Sequence, residues 1–335
     1  MKAVLAVSPG RLTLGELPTP EIAPYEALVR VEACGVCNGT DTKLVDGEFL
    51  AGPYPAAIGH ESVGRIVDVG GRVRHFGIGD RVLRPLLYDH HVSGGRSTWG
   101  GMAEYGIVID AQAIREDGAD LSVHWAAAKQ QRVPPSIGPA EAAALVTLKE
   151  ALHFVQTAGI GPDRAVAIVG TGPAARGFCF FSRRLGARPI IVFGRGEGYA
   201  SWFLRLGADM YLTGDQSSGL VRDALARGGF DTVIEAVGSP EALTRCIALA
   251  GSKGEVLVYG IAPSSRPWDP ESLRHPRVRR MGAKEEQVHE AMLAMVAAGA
   301  VKPREWVSHV LPVGDYAQAF EWVRTGRASK VVLTL

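Results

Sequence analysis

Residues 166–177 read VAIVGTGPAARG, a run of four apolar residues followed by a glycine-rich turn. The dinucleotide-binding pattern G-x-G-x-x-G/A is matched here by Gly170, Thr171, Gly172, Pro173, Ala174 and Ala175. In this pattern the first glycine allows a tight turn, the second lets the backbone approach a pyrophosphate, and the small last residue permits close helix–strand packing. A helix N-terminus then presents free N–H groups to the anion. The stretch predicts a dinucleotide site; the alternative is a glycine turn that serves packing alone.

On both sides of this stretch, wholly apolar segments alternate with amphipathic ones. Strands are predicted at 165–170, 189–194, 231–238 and 255–261, and helices at 139–158, 198–208 and 240–251. A further helix is predicted from residue 173 to an end at Gly186. Apolar strands that alternate with helices indicate βαβ units and a parallel sheet covered on both faces. The sequence therefore predicts a doubly wound α/β domain.

The N-terminal third has a different texture. Residues 1–110 contain short valine-rich segments bounded by Gly, Pro or Asp, which predict an all-β barrel or folded sheet. The C-terminal tail predicts a helix at 285–301 and then short strands that end at residue 335. The predicted fold class is α/β, with a β-rich domain and a parallel-sheet domain.

Bulk composition restricts the class of protein. A chain of 335 residues suffices for about two domains, and a net charge of +1 gives no reason to expect a nucleic-acid partner. No apolar run approaches the roughly 18 residues that a membrane helix needs, and the apolar start is too short for a signal peptide. Four cysteines do not make a disulfide framework. We therefore expect a cytoplasmic protein with no membrane partner.

The end of the second predicted strand bears on the choice of dinucleotide. NAD-preferring sites carry Asp or Glu at this position to bind the ribose 2′-hydroxyl. Here Gly194 occupies it and Arg195 follows, an arrangement that removes repulsion and offers a guanidinium to a 2′-phosphate. The pattern favours NADP(H). The alternative is NAD(H), with Glu197 taking the role of the acidic residue.

Two fragments supply metal-ligand side chains. Residues 34–41 read CGVCNGTD, and residues 59–61 read GHE. Cys37, His60 and Glu61 are the ligand types that zinc prefers, and a catalytic zinc keeps one position open. Their spacing alone favours the alternative, in which Cys37 is a buried apolar thiol and His60 and Glu61 are polar surface residues.

The order of motifs along the whole chain resembles the medium-chain dehydrogenase/reductase superfamily, most closely its zinc-dependent alcohol, polyol and threonine dehydrogenase branch. The resemblance rests on EACGVCNGTD, GHESVGRIVDVG, GDRV, GGMAEY, the dinucleotide motif and DTVIEAVGSPEAL, and extends to ASKVVL near the C-terminus. It implies a GroES-like catalytic domain at 1–144 and 283–335 and a Rossmann NADP-binding domain at 145–282. It also implies a homodimer.

The resemblance assigns roles to residues by position. Cys37 and His60 match the first two ligands of a catalytic zinc, and Glu61 matches a carboxylate that either ligates the metal or lies just behind it. Asp41 matches the carboxylate that orients the ligating histidine. Thr40 is the best candidate for the hydroxyl that relays the substrate's proton. Cofactor contacts are further predicted at Val237, Gly260 and Lys330.

This chain departs from the family pattern at three places. The loop between Cys37 and Thr40 is one residue longer than usual. The usual third metal ligand is replaced by Val146, and Glu150, one helical turn later, is predicted to ligate the metal, to reach it through water, or to serve only the helix surface. Segment 83–99 lacks cysteine, so we expect one catalytic zinc and no structural zinc.

These observations predict an NADP(H)-dependent oxidoreductase that interconverts an alcohol and a ketone or aldehyde. Polar and aromatic residues at 83–99 favour a polar small-molecule substrate such as a sugar, cyclitol or amino alcohol, although the segment also fits a solvated loop. Two alternatives remain open. One is a zinc-free reductase of a C=C or C=N bond, and the other is a non-enzymatic NADPH-binding protein.

Overall fold

The computed structural model describes residues 1–50, 52–119, 124–213 and 219–335. The strands there are β1 Lys2–Ser8, β2 Arg11–Glu16, β3 Glu26–Gly35, β4 Ala56–Ala57, β5 Glu61–Val69, β6 Arg81–Leu83, β7 Arg96–Ser97, β8 Tyr105–Ile109, β9 Arg132–Val133, β10 Val166–Val169, β11 Ile190–Gly194, β12 Met210–Thr213, β13 Phe230–Glu235, β14 Ala250–Val258, β15 Val278–Arg280, β16 His309–Pro312 and β17 Val331–Thr334. The α-helices are α1 Asp41–Val45, α2 Ala111–Glu116, α3 Pro139–Thr157, α4 Pro173–Arg184, α5 Ala200–Leu206, α6 Gly219–Ala226, α7 Pro240–Leu249, α8 Pro270–Arg274, α9 His289–Ala297 and α10 Tyr316–Thr325.

The chain divides into two units. The first comprises residues 1–146 and 289–335, and the second comprises residues 147–288. The domain boundaries expected from the sequence lie at 144/145 and 282/283. The chain thus leaves the first unit once and returns to it for its last 47 residues.

In the first unit, β3 is the central strand of a largely antiparallel sheet. It pairs with β5, β8 and β17, and β16 continues the sheet beyond β17. Its side chains alternate, with Val29, Val31 and Ala33 buried and Arg30 exposed between them. This period of two is the pattern of a sheet that covers a core with one face. A second sheet has the order β2-β1-β4-β7.

The second unit is built on a six-stranded parallel sheet with the order β12-β11-β10-β13-β14-β15. Its central strand β10 is buried throughout, as expected for a strand covered by helices on both faces. The order proceeds outward from β10 in both directions, which is the doubly wound arrangement. The fold class predicted from the sequence is confirmed.

Some elements differ from the expectation. The region 1–110 is not all-β, because the five-residue helix α1 follows β3. A helix this short has no repeating apolar period by which a sequence reveals it. The strands β12 and β15 and the helix α6 were also not predicted, while α4 ends at Arg184 with Leu185 as its C-cap, directly before the predicted end at Gly186.

Candidate active site

The loop after β3 presents Cys37. The chain turns at exposed Asn38 and Gly39 and enters α1, whose first amides, those of Asp41 and Thr42, donate to the carbonyl of Cys37 at 2.9 and 3.4 Å. Asp41 in turn accepts a hydrogen bond from the Cys37 amide at its Oδ2, at 2.9 Å. These reciprocal bonds fix the loop that carries the thiol although it contains a glycine.

His60 is positioned by the glycine before it. Gly59 has φ +99°, and a Cβ there would lie 2.6 Å from Cγ and 2.8 Å from the amide nitrogen of Met102. Only glycine adopts this conformation readily and fits the space. His60 therefore lies directly before β5, whose first residue, Glu61, is paired with Gly35 of β3.

Three ligand atoms meet at this point. One atom each from Cys37, His60 and Glu61 lies within 4.8 Å of the others, and no other such group occurs within the described ranges. His60 Nδ1 lies 3.0 Å from Asp41 Oδ1, and Nε2 lies 4.0 Å from Glu61 Oε1. Burial by itself lowers the pKa of His60, but the Asp41 carboxylate and a hydrogen bond with Cys37 raise that pKa well above its usual value.

A buried ion pair adjoins the cluster. Lys330, just before β17, places its Nζ 2.5 Å from Glu61 Oε2, and both side chains are about 97% buried or more. Burial lowers the pKa of Lys330, but the attraction of Glu61 and then of Cys37 outweighs it, so the net shift is upward. Lys330 was predicted as a cofactor contact; the structure places its ammonium group on Glu61.

The remaining predicted residues of this chemistry lie as follows. Thr40 is half-buried directly before α1, and its hydroxyl does not cap that helix. Val146 is buried in α3. Glu150, further along α3, is not a member of the three-ligand cluster, and its Oε2 accepts a hydrogen bond from the Tyr259 hydroxyl at 2.9 Å.

In the second unit, the glycine-rich turn connects β10 to α4. Gly170 has φ +132°, and a Cβ there would meet the carbonyl oxygen of Ala236 at 2.9 Å. Gly172 is the exposed N-cap of α4, Pro173 takes the first helical position, and Ala175 is fully buried. Thr171 and Ala174 are half-buried. The backbone thus forms the strand–turn–helix on which an anion can rest against free N–H groups.

The end of β13 forms a second part of this edge. The buried Glu235 accepts hydrogen bonds from the amides of Val237 and Gly238 at 2.9 and 2.8 Å, which holds the turn. Val237 is 40% exposed, although it is apolar. A Cβ on Gly260 would lie 2.2 Å from the Gly238 amide nitrogen, so that the two turns are in close contact.

At the end of β11, Gly194 is packed closely against neighbouring side chains, whereas the residues that follow it are largely exposed. A Cβ on Gly194 would lie 2.0 Å from the Tyr211 hydroxyl oxygen and 2.6 Å from Thr171 Cγ2. That hydroxyl donates to the Gly196 carbonyl at 2.6 Å. Arg195 and Glu197 are both exposed.

Sequence reasoning did not identify the pairing of Lys330 with Glu61, the contact of Tyr211 with Gly194, or a buried arginine, Arg176, on α4. The first two are contacts between distant segments and leave no local signal. Arg176 had a signal: it is the one basic residue in the otherwise apolar run 175–181. Among the described residues, no helix combines the length and apolar character that crossing a membrane requires.

The chain is similar to known proteins along most of its length. Residues 23–116 match the family model of the alcohol dehydrogenase GroES-like domain, and residues 206–333 match that of zinc-binding dehydrogenases. The L-threonine 3-dehydrogenase of Chelativorans sp. (strain BNC1) is 26% identical over 99% of this chain and 98% of its own length.

Solved structures give the same result. The alcohol dehydrogenase TADH from Thermus sp. ATN1 is 25% identical with a TM-score of 0.78, covering 100% of this chain and 99% of its own. A structure from Sinorhizobium meliloti 1021, described as a zinc-binding dehydrogenase bound to NADP, has the same identity, TM-score and coverage. The chain therefore belongs to the medium-chain dehydrogenase/reductase superfamily, as an alcohol dehydrogenase-type oxidoreductase of its zinc-dependent branch.

Proposed function

We propose that this protein interconverts an alcohol and a ketone or aldehyde with NADP(H), using one catalytic zinc held by Cys37, His60 and Glu61. The observation that carries the proposal is the convergence of a thiol, an imidazole and a carboxylate within 4.8 Å, with the imidazole oriented by Asp41.

The donor set fits zinc. A thiolate, an imidazole nitrogen and a carboxylate oxygen are the three ligand types that zinc takes in catalytic sites. Asp41 engages Nδ1 of His60, which leaves Nε2 for a metal, and such a carboxylate partner fixes the tautomer and raises ligand basicity. Because Val146 cannot bind a metal, we assign the third protein ligand to Glu61 and keep Glu150 as a further candidate ligand.

When bound, zinc supplies Lewis-acid polarisation of the substrate oxygen, and the nicotinamide supplies or accepts the hydride. The chain's own residues do the remaining work. Thr40 lies beside exposed Asn38 and Gly39, so its hydroxyl is suited to pass the alcohol proton towards solvent. Lys330 balances the charge of Glu61, which lets a carboxylate stay ionised in a buried place.

NADP(H) is favoured over NAD(H) by the end of β11. Gly194 offers no carboxylate to a ribose 2′-hydroxyl, and Tyr211 leaves no space for one. The guanidinium of Arg195 is exposed and is suited to a 2′-phosphate. The NADP-bound relative from Sinorhizobium meliloti supports this choice. We assign the pyrophosphate to the turn 170–175 and further cofactor contacts to Val237 and Gly260.

We infer a small polar substrate, with an amino alcohol as the leading class. The L-threonine 3-dehydrogenase relatives are named for L-threonine, whose hydroxyl lies on the carbon next to the one that bears the amino group. In the first unit, Tyr88 stacks against His90 and lies 5.5 Å from His91, while its hydroxyl donates to Glu26 at 2.6 Å. These contacts give segment 83–99 a polar aromatic surface rather than an apolar channel wall.

The larger organisation is part of the same proposal. We assign catalysis to residues 1–144 with 283–335, NADP binding to residues 145–282, a homodimeric state and a cytoplasmic location. A zinc-free reductase of C=C or C=N bonds is the second candidate, and the observation in its favour is buried Val146 at the usual third-ligand position.

The test is metal analysis and turnover of the purified enzyme with L-threonine, sorbitol, myo-inositol and ethanol. We expect one zinc per chain and NADP-linked oxidation of a polar alcohol. Cys37→Ala should lose the zinc and the NADP-linked oxidation. The control is Cys34→Ala, three residues away, whose thiol is buried against the Gly35 carbonyl; it should keep the zinc and the activity. Zinc-free protein that reduces a C=C or C=N bond with NADPH, and oxidises none of these alcohols, would support the zinc-free reductase. NADPH binding without turnover in any assay would support the non-enzymatic alternative.

A further inference from the structure

Arg176 is a buried cation close to the proposed cofactor edge. It lies one turn into α4 and is only 5% exposed. Its guanidinium lies 3.5 Å from the ring centre of Trp202 in α5 and 5.8 Å from that of Tyr199. Both aromatic residues come from the segment that directly follows Arg195.

One nitrogen of this buried guanidinium is unsatisfied. The Nε of Arg176 is buried and has no hydrogen-bond partner among the described residues. Burial lowers the pKa of Arg176 to about 10. A buried charge is costly unless it is paired and hydrogen-bonded. A cation retained in such a place is therefore stabilised when an anion arrives.

The topology of the parallel sheet indicates which anionic group of a dinucleotide would lie near Arg176. Strands β10 and β11 are parallel neighbours in register from Val166↔Ile190 to Val169↔Phe193, so the turns at their carboxyl ends meet at one edge. The first turn leads into α4, whose N-terminus suits a pyrophosphate. The second turn, 194–199, lies where a dinucleotide places its adenosine ribose. Arg176 lies on the helix that the first turn opens, and its guanidinium contacts the rings of Tyr199, the last residue of the second turn, and of Trp202 just beyond it.

We propose that Arg176, together with Arg195, binds the 2′-phosphate of NADP(H), with Trp202 and Tyr199 holding the Arg176 guanidinium in place. The proposal rests on the proposed use of NADP. A guanidinium stacked on an indole keeps its N–H groups directed in its own plane, where a phosphate accepts two of them. The competing explanation is that Arg176 only joins α4 to α5 by a cation–π contact.

The test compares ligands with and without the 2′-phosphate. Affinities for NADPH, NADH, adenosine 2′,5′-bisphosphate and AMP are measured by calorimetry on the wild type, Arg176→Met and Arg176→Lys. Methionine retains the apolar stem without the charge. The matched control is Arg184→Met, since Arg184 lies on the same helix over Phe180 at 3.8 Å but near the helix C-terminus.

We expect Arg176→Met to weaken the affinity for NADPH and for the bisphosphate about 10- to 100-fold, as loss of a charged hydrogen-bonding partner does. The affinities for NADH and AMP should stay within about threefold of the wild-type values. Arg176→Lys should recover part of the loss, and Arg184→Met should change neither. Equal weakening of all four ligands in Arg176→Met would overturn the role of Arg176 alone. A wild type that binds AMP as tightly as the bisphosphate would overturn both NADP preference and this role.

Discussion

At the scale of single residues, one carboxylate organises two metal-ligand side chains. Asp41 accepts the Cys37 amide at one oxygen and faces His60 Nδ1 with the other. The negative charge serves both bonds, because an ionised carboxylate has acceptors on both oxygens and an amide does not. Asp41 is therefore a positioning residue for the loop and for the imidazole at once.

Asp41→Asn should weaken zinc affinity about 10- to 100-fold, the usual effect of removing the partner of a ligating histidine. The asparagine retains the shape but can accept only one of the two hydrogen bonds. Zinc affinity is measured by competition with a chelator, and secondary structure by circular dichroism. The control is Asp46→Asn at the exposed end of the same helix. A zinc affinity that is unchanged in Asp41→Asn would argue against this role.

Gly59→Ala should damage the site without touching a ligand. The left-handed φ of +99° disfavours alanine, and the new Cβ would meet the Met102 backbone nitrogen, which cannot move as a flexible side chain does. We expect a loss of roughly 2 kcal/mol or more in the free energy of unfolding, together with reduced zinc content. Chemical denaturation and metal analysis provide the measurements. The control is Gly71→Ala, where a Cβ meets open space. It should leave the free energy of unfolding and the zinc content equal to the wild-type values within error.

The residue types of the site could be read from the sequence, but their contacts could not. Cys37, His60 and Glu61 stand out because few side chains bind zinc and because their fragments occur in a characteristic order. Lys330 does not, since it approaches Glu61 across 269 positions of sequence. Arg176 was passed over because arginine on a helix is usually solvated, and only the packing of α5 buries it.

At the scale of elements, the end of β11 illustrates how a neighbouring strand limits a specificity change. Gly194→Asp introduces the carboxylate typical of NAD sites, but Tyr211 of β12 occupies that space. We expect Gly194→Asp alone to weaken the binding of both NADPH and NADH. The double variant Gly194→Asp with Tyr211→Ala should recover the binding of NADH only. Dissociation constants for the two cofactors check this. Recovery of NADH binding in the single variant would show that the tyrosine ring moves aside freely.

The helix α2 depends on its N-cap. Asp110 accepts hydrogen bonds from the amides of Ala113, Arg74 and His75 and from the His75 ring, all between 2.8 and 2.9 Å. Burial raises the pKa of Asp110, but these hydrogen bonds together lower it by a larger amount, so that the net shift is downward. A lowered folded-state pKa contributes stability that is present above the unfolded carboxyl pKa of about 4 and is lost as pH falls through the folded value.

Asp110→Asn should therefore cost about 1–3 kcal/mol of unfolding free energy at pH 7, because it removes charge-assisted bonds at the helix start. The difference from the wild type should shrink as pH falls below about 4. Urea denaturation at pH 7, 5 and 3.5 measures both quantities. Asp68→Asn, at an exposed position on β5, serves as the control. A difference that stays constant across this range would exclude the titration of Asp110 as its source.

The two strands of the parallel sheet that were not predicted from the sequence share a physical feature. Strand β12, MYLT, is half-buried throughout, and β15, VRR, is exposed at two of its three positions. Both lie at the edges of the parallel sheet, where burial is one-sided and the continuous apolar run of a central strand is absent. The central strands β10, β11 and β13 were predicted because burial on both faces leaves a strong signal.

At the scale of the whole molecule, the chain returns to its first unit at residue 289 and ends there in β17. That strand pairs antiparallel with β3, from Val332↔Gly35 to Thr334↔Ala33, so the C-terminal residues complete a sheet begun near the N-terminus. Two ion pairs connect the same distant parts of the chain. Lys330–Glu61 is buried, whereas Arg324–Asp46 is more than a third exposed on both sides. The two pairs form a natural comparison between buried and exposed charge.

We expect Lys330→Met and Glu61→Gln each to destabilise the zinc-free protein by about 3–5 kcal/mol, because either change leaves the other charge buried without its ion-pair partner. The double variant should lose much less than the sum, with a coupling of about 2 kcal/mol or more. The cycle Arg324→Met with Asp46→Asn should give less than about 1 kcal/mol, since water screens an exposed pair. Both cycles are measured by urea denaturation in the presence of a chelator. Equal coupling in the two cycles would mean that Lys330 and Glu61 are effectively solvated, and that the charge balance proposed for the metal site does not depend on Lys330.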